Sequence, residues 1–138
     1  MKDIIDQGPE PFVSDIEQST LENENFRTTL WTGSNLQVTL MSIQPGHEIG
    51  REIHEEHDQF LRIEKGQVTV YMESDKEQLQ VWQAKVNDAV IVPAGTWHNL
   101  VNSGDTPLKL YSIYAPPQHP HGTVHATKEE ADIAEIKE

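Results

Sequence analysis

The chain has 138 residues, 23 of them acidic and 10 basic, for a formal charge of −13, and it has no cysteine. The length suits one domain with a core of its own, and the missing thiols exclude disulfides, thiolate metal sites and cysteine nucleophiles. The acidic excess opposes nucleic acid and anionic membrane, whose phosphates need a basic face, and reads as a solvated surface that favours solubility.

Met1-Lys-Asp-Ile-Ile-Asp-Gln-Gly-Pro9 lacks the apolar run of a signal peptide. No stretch approaches the ~20 apolar residues of a membrane span, so a cytoplasmic protein is expected. Residues 1–25 form a polar extension in which Ser14-Asp-Ile-Glu17 fits a capping box for a short helix or turn. Strand signals start at Phe26-Arg-Thr-Thr-Leu-Trp31 and break at Thr32-Gly-Ser-Asn35. Leu36 to Ile43 alternates apolar and polar residues, the pattern of a half-buried strand, and Pro45-Gly46 ends it.

Further strands are predicted at Glu52–His54, Gln59–Glu64 and Gln67–Met72, the last two joined by a tight turn at Lys65-Gly66. Leu79–Gln83, Ala89–Val92, Trp97–Val101 and Leu108–Tyr114 follow, with turns at Asn87-Asp88, Pro93-Ala-Gly95 and Asn102-Ser-Gly-Asp105. Short strands at regular spacing indicate an all-β sandwich or barrel over residues 26–115. Pro116, Pro117 and Pro120 open a tail, residues 116–138, in which Thr127-Lys-Glu-Glu130 caps a short helix over Ala131–Lys137. There is no internal repeat and no second domain.

Glu52 and His54 stand two apart on a predicted strand, so their side chains share a face. Gln59 shares a face with Leu61 and Ile63, and His98 follows the Pro93–Trp97 break. If the strands close into a barrel, these four meet inside it. Two histidines and a carboxylate form a facial triad with open coordination positions, suited to Fe(II) and compatible with Mn, Ni, Co or Zn. Gln59 adds a neutral oxygen. The competing readings are hydrogen-bonded barrel histidines for His54 and His98, a solvated carboxylate for Glu52, and an amide that orients water or substrate for Gln59.

Two motifs carry a resemblance. Gly50-x-Glu52-x-His54-x4-Gln59-x6-Gly66 resembles the first cupin motif, and Asn87-x5-Pro93-x-Gly95-x2-His98-x3-Asn102 the second. The resemblance covers residues 26–115 and implies a cupin double-stranded β-helix, a jelly-roll barrel. The Phe26–Gly33 start and the Tyr114–His125 tail are similar to a bacterial subgroup often labelled mannose-6-phosphate-isomerase-like. The departures are Glu52 in place of the family's first histidine, Gln59 in place of its glutamate, and Asn87 in place of a glycine. The ligand charge is conserved by this exchange, so the resemblance implies one retained divalent metal ion but transfers no particular reaction. Asn87 tolerates a left-handed turn. The family often pairs barrels, which implies a homodimer.

Parity puts His57 on the face opposite His54 unless a turn brings it round to the site, and His47 reads as a loop residue. His119, His121 and His125 either pack the tail over the barrel wall or place a flap at its mouth. Trp97 and Asn99 point away from His98. Trp31, Met41, Phe60, Tyr71 and Trp82 read as core or dimer contacts, and Arg62 as a partner of Glu64 or the acidic turn. No lysine or tyrosine stands out as a proton shuttle, which leaves Glu52 or a metal-bound hydroxide as the base. The expected activity is a metal-dependent enzyme on a small polar or anionic molecule, isomerase-like or dioxygenase-like. The alternative is a non-catalytic binding module.

Overall fold

The computed structural model describes residues 4–73 and 78–137; the outermost residues of the expected N-terminal extension and tail, 1–3 and 138, lie outside them. The elements in chain order are α1 (Ile16–Glu22), β1 (Arg27–Thr32), β2 (Gln37–Ile43), β3 (Asp58–Lys65), β4 (Gln67–Glu73), β5 (Leu79–Lys85), β6 (Ala89–Val92), β7 (Trp97–Asn102), β8 (Leu108–Ala115), β9 (Val124–His125) and α2 (Lys128–Lys137). The strands form two antiparallel sheets, one in the order β6-β3-β8-β2-β1-β9 and one in the order β5-β4-β7. Among the described residues no helix is long and apolar enough to cross a membrane.

The two sheets face each other across one core. Met41, Ile43, Leu61, Ile63 and Leu110 enter it from the larger sheet, and Val68, Val70 and Leu100 from the smaller. These side chains are fully buried, each contributing ~1.5–3 kcal/mol. On β2, β3 and β4 they come from alternate positions, as the strand period requires. The helix α1 packs on β2, β3 and β8 from outside. This is the all-β jelly-roll barrel with a C-terminal helix that the sequence predicts.

Several local features differ from expectation. Asp15, not Ser14, caps α1, its Oδ1 accepting from Gln18 N at 3.0 Å. Residues 52–54 form no strand. Glu52 instead makes an isolated antiparallel bridge to His98, donating N–H to its carbonyl and accepting its N–H, both at 2.9 Å. Gly66 does not turn a hairpin, because β3 and β4 belong to different sheets. The chain changes sheet there with φ +98°, and a Cβ would stand 3.2 Å from Leu108 Cα. Asn87 takes φ 77°, the left-handed turn expected of it. The C-terminal helix begins at Lys128, three residues before the predicted start.

The tail contributes a strand that was not predicted. β9 pairs with β1, placing His125 opposite Arg27. Asp6 ties the N-terminal segment to both. Its oxygens accept from Gly8 N, Thr32 N, Thr32 Oγ1 and Gly122 N. Burial alone would raise its carboxyl, but the hydrogen bonds from Thr32, Gly122 and Gly8 outweigh burial and hold it low.

Candidate metal centre

Glu52, His54 and His98 come together although they arise from different parts of the barrel. The bridge to β7 sets Glu52 beside His98, and His54 follows on the same segment. Glu52 Oε1 lies 3.3 Å from His54 Nε2 and 3.3 Å from His98 Nε2. All three ligand atoms stand within 4.8 Å of one another. Ligands at about 2.1 Å from one ion and at right angles around it are ~3 Å apart, so the spacing matches.

The hydrogen-bond pattern makes the same point. His98 Nδ1 lies 3.0 Å from the Thr96 carbonyl, which only accepts, so Nδ1 carries the hydrogen. A neutral His98 therefore turns a bare Nε2 towards a carboxylate oxygen. Two lone pairs at that distance need a proton or a cation between them. His54 Nε2 is buried with no aligned hydrogen-bond partner. Burial by itself would raise the Glu52 carboxyl, but the His54 and His98 rings against it outweigh burial and hold it at about 2. The cluster is thus a carboxylate held ionised between two imidazole Nε2 atoms, and it could hold a metal ion.

Gln59 sits on the inner face of β3, directly opposite Tyr114 of β8. Its amide donates to Ser112 Oγ at 2.9 Å, which fixes the orientation of the amide, and its buried Oε1 has no hydrogen-bond partner. Tyr114 is fully buried, and its ring meets that of His54 edge-on at 5.5 Å. Burial pushes the Tyr114 hydroxyl up to about 12. The sequence reading missed Tyr114. The signal was the face shared by Leu108, Leu110, Ser112 and Tyr114, which turns polar only at its end.

His57 is not on an opposite face, because residues 52–57 form no strand. Its ring stands 6.1 Å from that of His54, and its Nδ1 donates to the Pro116 carbonyl at 2.7 Å. His47 is exposed in a loop, as expected. The tail histidines separate. His119 is buried edge-on against Tyr114 at 5.3 Å, His121 Nε2 bonds Gly8 O at 2.7 Å, and His125 Nδ1 accepts from Arg27 Nη1 at 3.3 Å. Burial, reinforced by the charge of Arg27, lowers His119 to about 3.

The side chains expected outside the cluster divide as follows. Trp97 carries the Arg51 guanidinium 4.0 Å above its ring, and Asn99 Oδ1 accepts from Gly50 N. Arg62 pairs with Glu64 at 2.9 Å. Met41 is in the core, whereas Trp82 is exposed on β5 and is not.

Comparison with known proteins agrees with this fold. The chain is 57% identical over 131 residues to the uncharacterized protein YrkC of Bacillus subtilis (strain 168), which covers 94% of this chain and 70% of that protein. The crystal structure of BH2720 from Bacillus halodurans superposes with a TM-score of 0.90 at 55% identity, over 94% of this chain and 99% of that one. An oxalate decarboxylase from Lactobacillus farciminis shares the fold alone, with a TM-score of 0.59 at 18% identity over 63% of this chain and 26% of that one. The cupin domain model matches residues 39–114, from β2 to the end of β8. By that match and by the barrel itself, this chain belongs to the cupin domain family.

Proposed function

We propose that the chain holds one divalent metal ion on Glu52, His54, Gln59 and His98 and acts on a small polar or anionic molecule as a metal-dependent enzyme. The observation that carries this reading is the convergence of the Glu52, His54 and His98 ligand atoms, all within 4.8 Å of one another, in the barrel. An Fe, Mn, Ni, Co or Zn ion held there would supply an open-sided positive centre that polarises a chelating substrate.

The chain's own residues prepare that site. The Thr96 carbonyl fixes the His98 tautomer, Ser112 fixes the Gln59 amide, and the buried Tyr114 ring packs edge-on against His54. Glu52 meets both histidines and is the residue we assign to accept a proton. Isomerisation through an enol and oxygenation at Fe(II) both suit such a site, and two histidines with one carboxylate favour the second.

The rival reading is a non-catalytic module that holds a ligand at the same cluster.

Metal analysis of the untagged protein decides the first step. About one ion per chain is expected after loading with Mn(II) or Fe(II). His54→Ala should lose the ion and melt like the metal-free parent. A parent that takes up no metal overturns the reading. Oxygen uptake by the Fe(II) form with catechols, diketones or thiols then tests the oxygenase branch, and its absence removes that branch.

A further inference from the structure

The barrel interior holds a second set of unmatched polar groups, opposite in character to the first. Arg27, at the start of β1, is 2% exposed. Among the described residues no carboxylate comes within ion-pair distance of its guanidinium. It meets His125 Nδ1, 3.3 Å from Nη1, the Phe26 ring, 5.3 Å from Cζ to the centroid, and the neutral Tyr114 hydroxyl. Its Nε has no hydrogen-bond partner, and neither have the buried Thr39 Oγ1 and His119 Nε2. Burying a cation without a counter-charge is costly, and neither a neutral imidazole nor an aromatic face replaces a carboxylate.

Tyr114 links the two sets. Its ring touches His54 on one side and His119 on the other. The charges of Arg27 and Glu52 both act on it. Thr39 faces Ser112 across the β2–β8 ladder, and Gln37 faces Tyr114 two residues on, so Thr39 lies on the same inner face as Tyr114.

The two sets differ in fixed charge. Beside Glu52 the charge is negative, and the unmatched Gln59 Oε1 is an acceptor, which suits a cation. Around Arg27 the charge is positive, and Thr39 Oγ1 and His119 Nε2 can each turn a hydrogen towards an anion. We propose that Arg27, with Thr39 and His119, forms an anion subsite that takes the carboxylate of a small substrate whose other polar group reaches the Glu52–His54–His98 cluster. A single guanidinium matches a planar monoanionic carboxylate in its fork, whereas a phosphate dianion calls for further cationic groups. The second contact rests on the metal reading above; the Arg27 contact does not.

The test is calorimetric titration of the metal-free and the Mn(II)-loaded full chain with glycolate, glycolamide and inorganic phosphate, for the parent and for Arg27→Met. Glycolate is expected to bind both forms and the Mn(II) form more tightly, in preference to glycolamide and phosphate. Arg27→Met should weaken glycolate roughly 30-fold or more in both forms. Its Mn(II) content should be unchanged, and its ligand-free melting temperature no lower than the parent's, because the replaced charge had no counter-charge. If that variant does not fold, Arg27→Lys keeps the charge without the fork and should weaken glycolate at least roughly 10-fold at unchanged Mn(II) content. Undiminished binding by the folded variant overturns the proposal. So does equal binding of glycolamide, preference for phosphate, or no glycolate binding in either form. A parent that takes up no Mn(II) but still binds glycolate overturns the metal reading alone.

Discussion

The two ends of the barrel interior are built on the same strands from opposite materials. On β3 the inward positions run Gln59, Leu61, Ile63; on β7 His98 precedes Leu100; on β8 Leu108 and Leu110 precede Ser112 and Tyr114. Along the ladder between β3 and β8, Gln59 faces Tyr114 at one end, Ile63 faces Leu110 at the other, and Leu61 facing Ser112 marks the change between them. One end is thus a dry core and the other a cluster of buried polar groups, several with no partner. Burying unmatched polar atoms lowers stability, so the polar end is a place where folding is not what the residues serve. The difference predicts that substitutions at the apolar end move stability and leave metal uptake alone, and that those at the polar end do the reverse.

The sharpest break should come at the apolar end. Leu110→Ala removes a fully buried side chain from the middle of β8 and should cost about 2–5 kcal/mol in a denaturant titration. Metal bound per folded chain should stay at the parent's value. Gly66→Ala tests the corner where β3 passes to β4. With φ +98° and an added Cβ only 3.2 Å from Leu108 Cα and 3.3 Å from the Pro107 carbonyl, the backbone must shift. A loss of about 1–3 kcal/mol is expected, again with metal uptake intact. A corner variant that folds normally but loses metal would contradict the division of labour.

The polar end should reveal itself through pH. His119 is lowered to about 3 in the folded protein by burial, from an ordinary value of 6.5. Between these values the unfolded chain takes up a proton that the folded chain refuses. This contribution is therefore neutral above the ordinary value, and stability falls as pH drops below it, by about 1.4 kcal/mol per pH unit. Denaturant midpoints of the metal-free protein across that range, compared with those of His119→Gln, isolate the residue. A variant with the parent's slope would show that His119 is not the group excluded from protonation.

The strands of the apolar end were legible in the sequence, since Leu36 to Ile43 and Leu108 to Tyr114 both form strands. Their faces were less so, because the apolar positions of the first change phase at Leu40-Met41, and it is Met41 and Ile43 that enter the core. The pairing of Glu52, His54 and His98 was also legible, through their spacing in two motifs, although the strand assumed for residues 52–54 is a single bridge. Arg27 was not legible. The first four residues of β1 are buried, so both faces are covered and the sequence carries no parity. The strand β9 spans only two residues and owes its existence to contact with β1, which is long-range information. His57 was misplaced for a related reason, since face parity has meaning only where a strand exists.

The smallest predicted effect on stability is the most informative about the candidate site. Ser112 is buried, and its Oγ accepts the Gln59 amide at 2.9 Å. Ser112→Ala leaves that N–H without its partner and should cost only ~1 kcal/mol, because an amide can recover part of the loss by rotating. The same rotation would release Oε1 from the orientation that Ser112 imposes. If Gln59 is the fourth ligand, Mn(II) affinity should fall roughly 10-fold, the scale on which groups that orient metal ligands act. Unchanged affinity in a folded Ser112→Ala protein would confine the ligand set to Glu52, His54 and His98. Gln59 would then belong to the substrate's surroundings rather than the metal's, and the boundary between the cation-seeking and anion-seeking halves of the interior would move one residue towards β7.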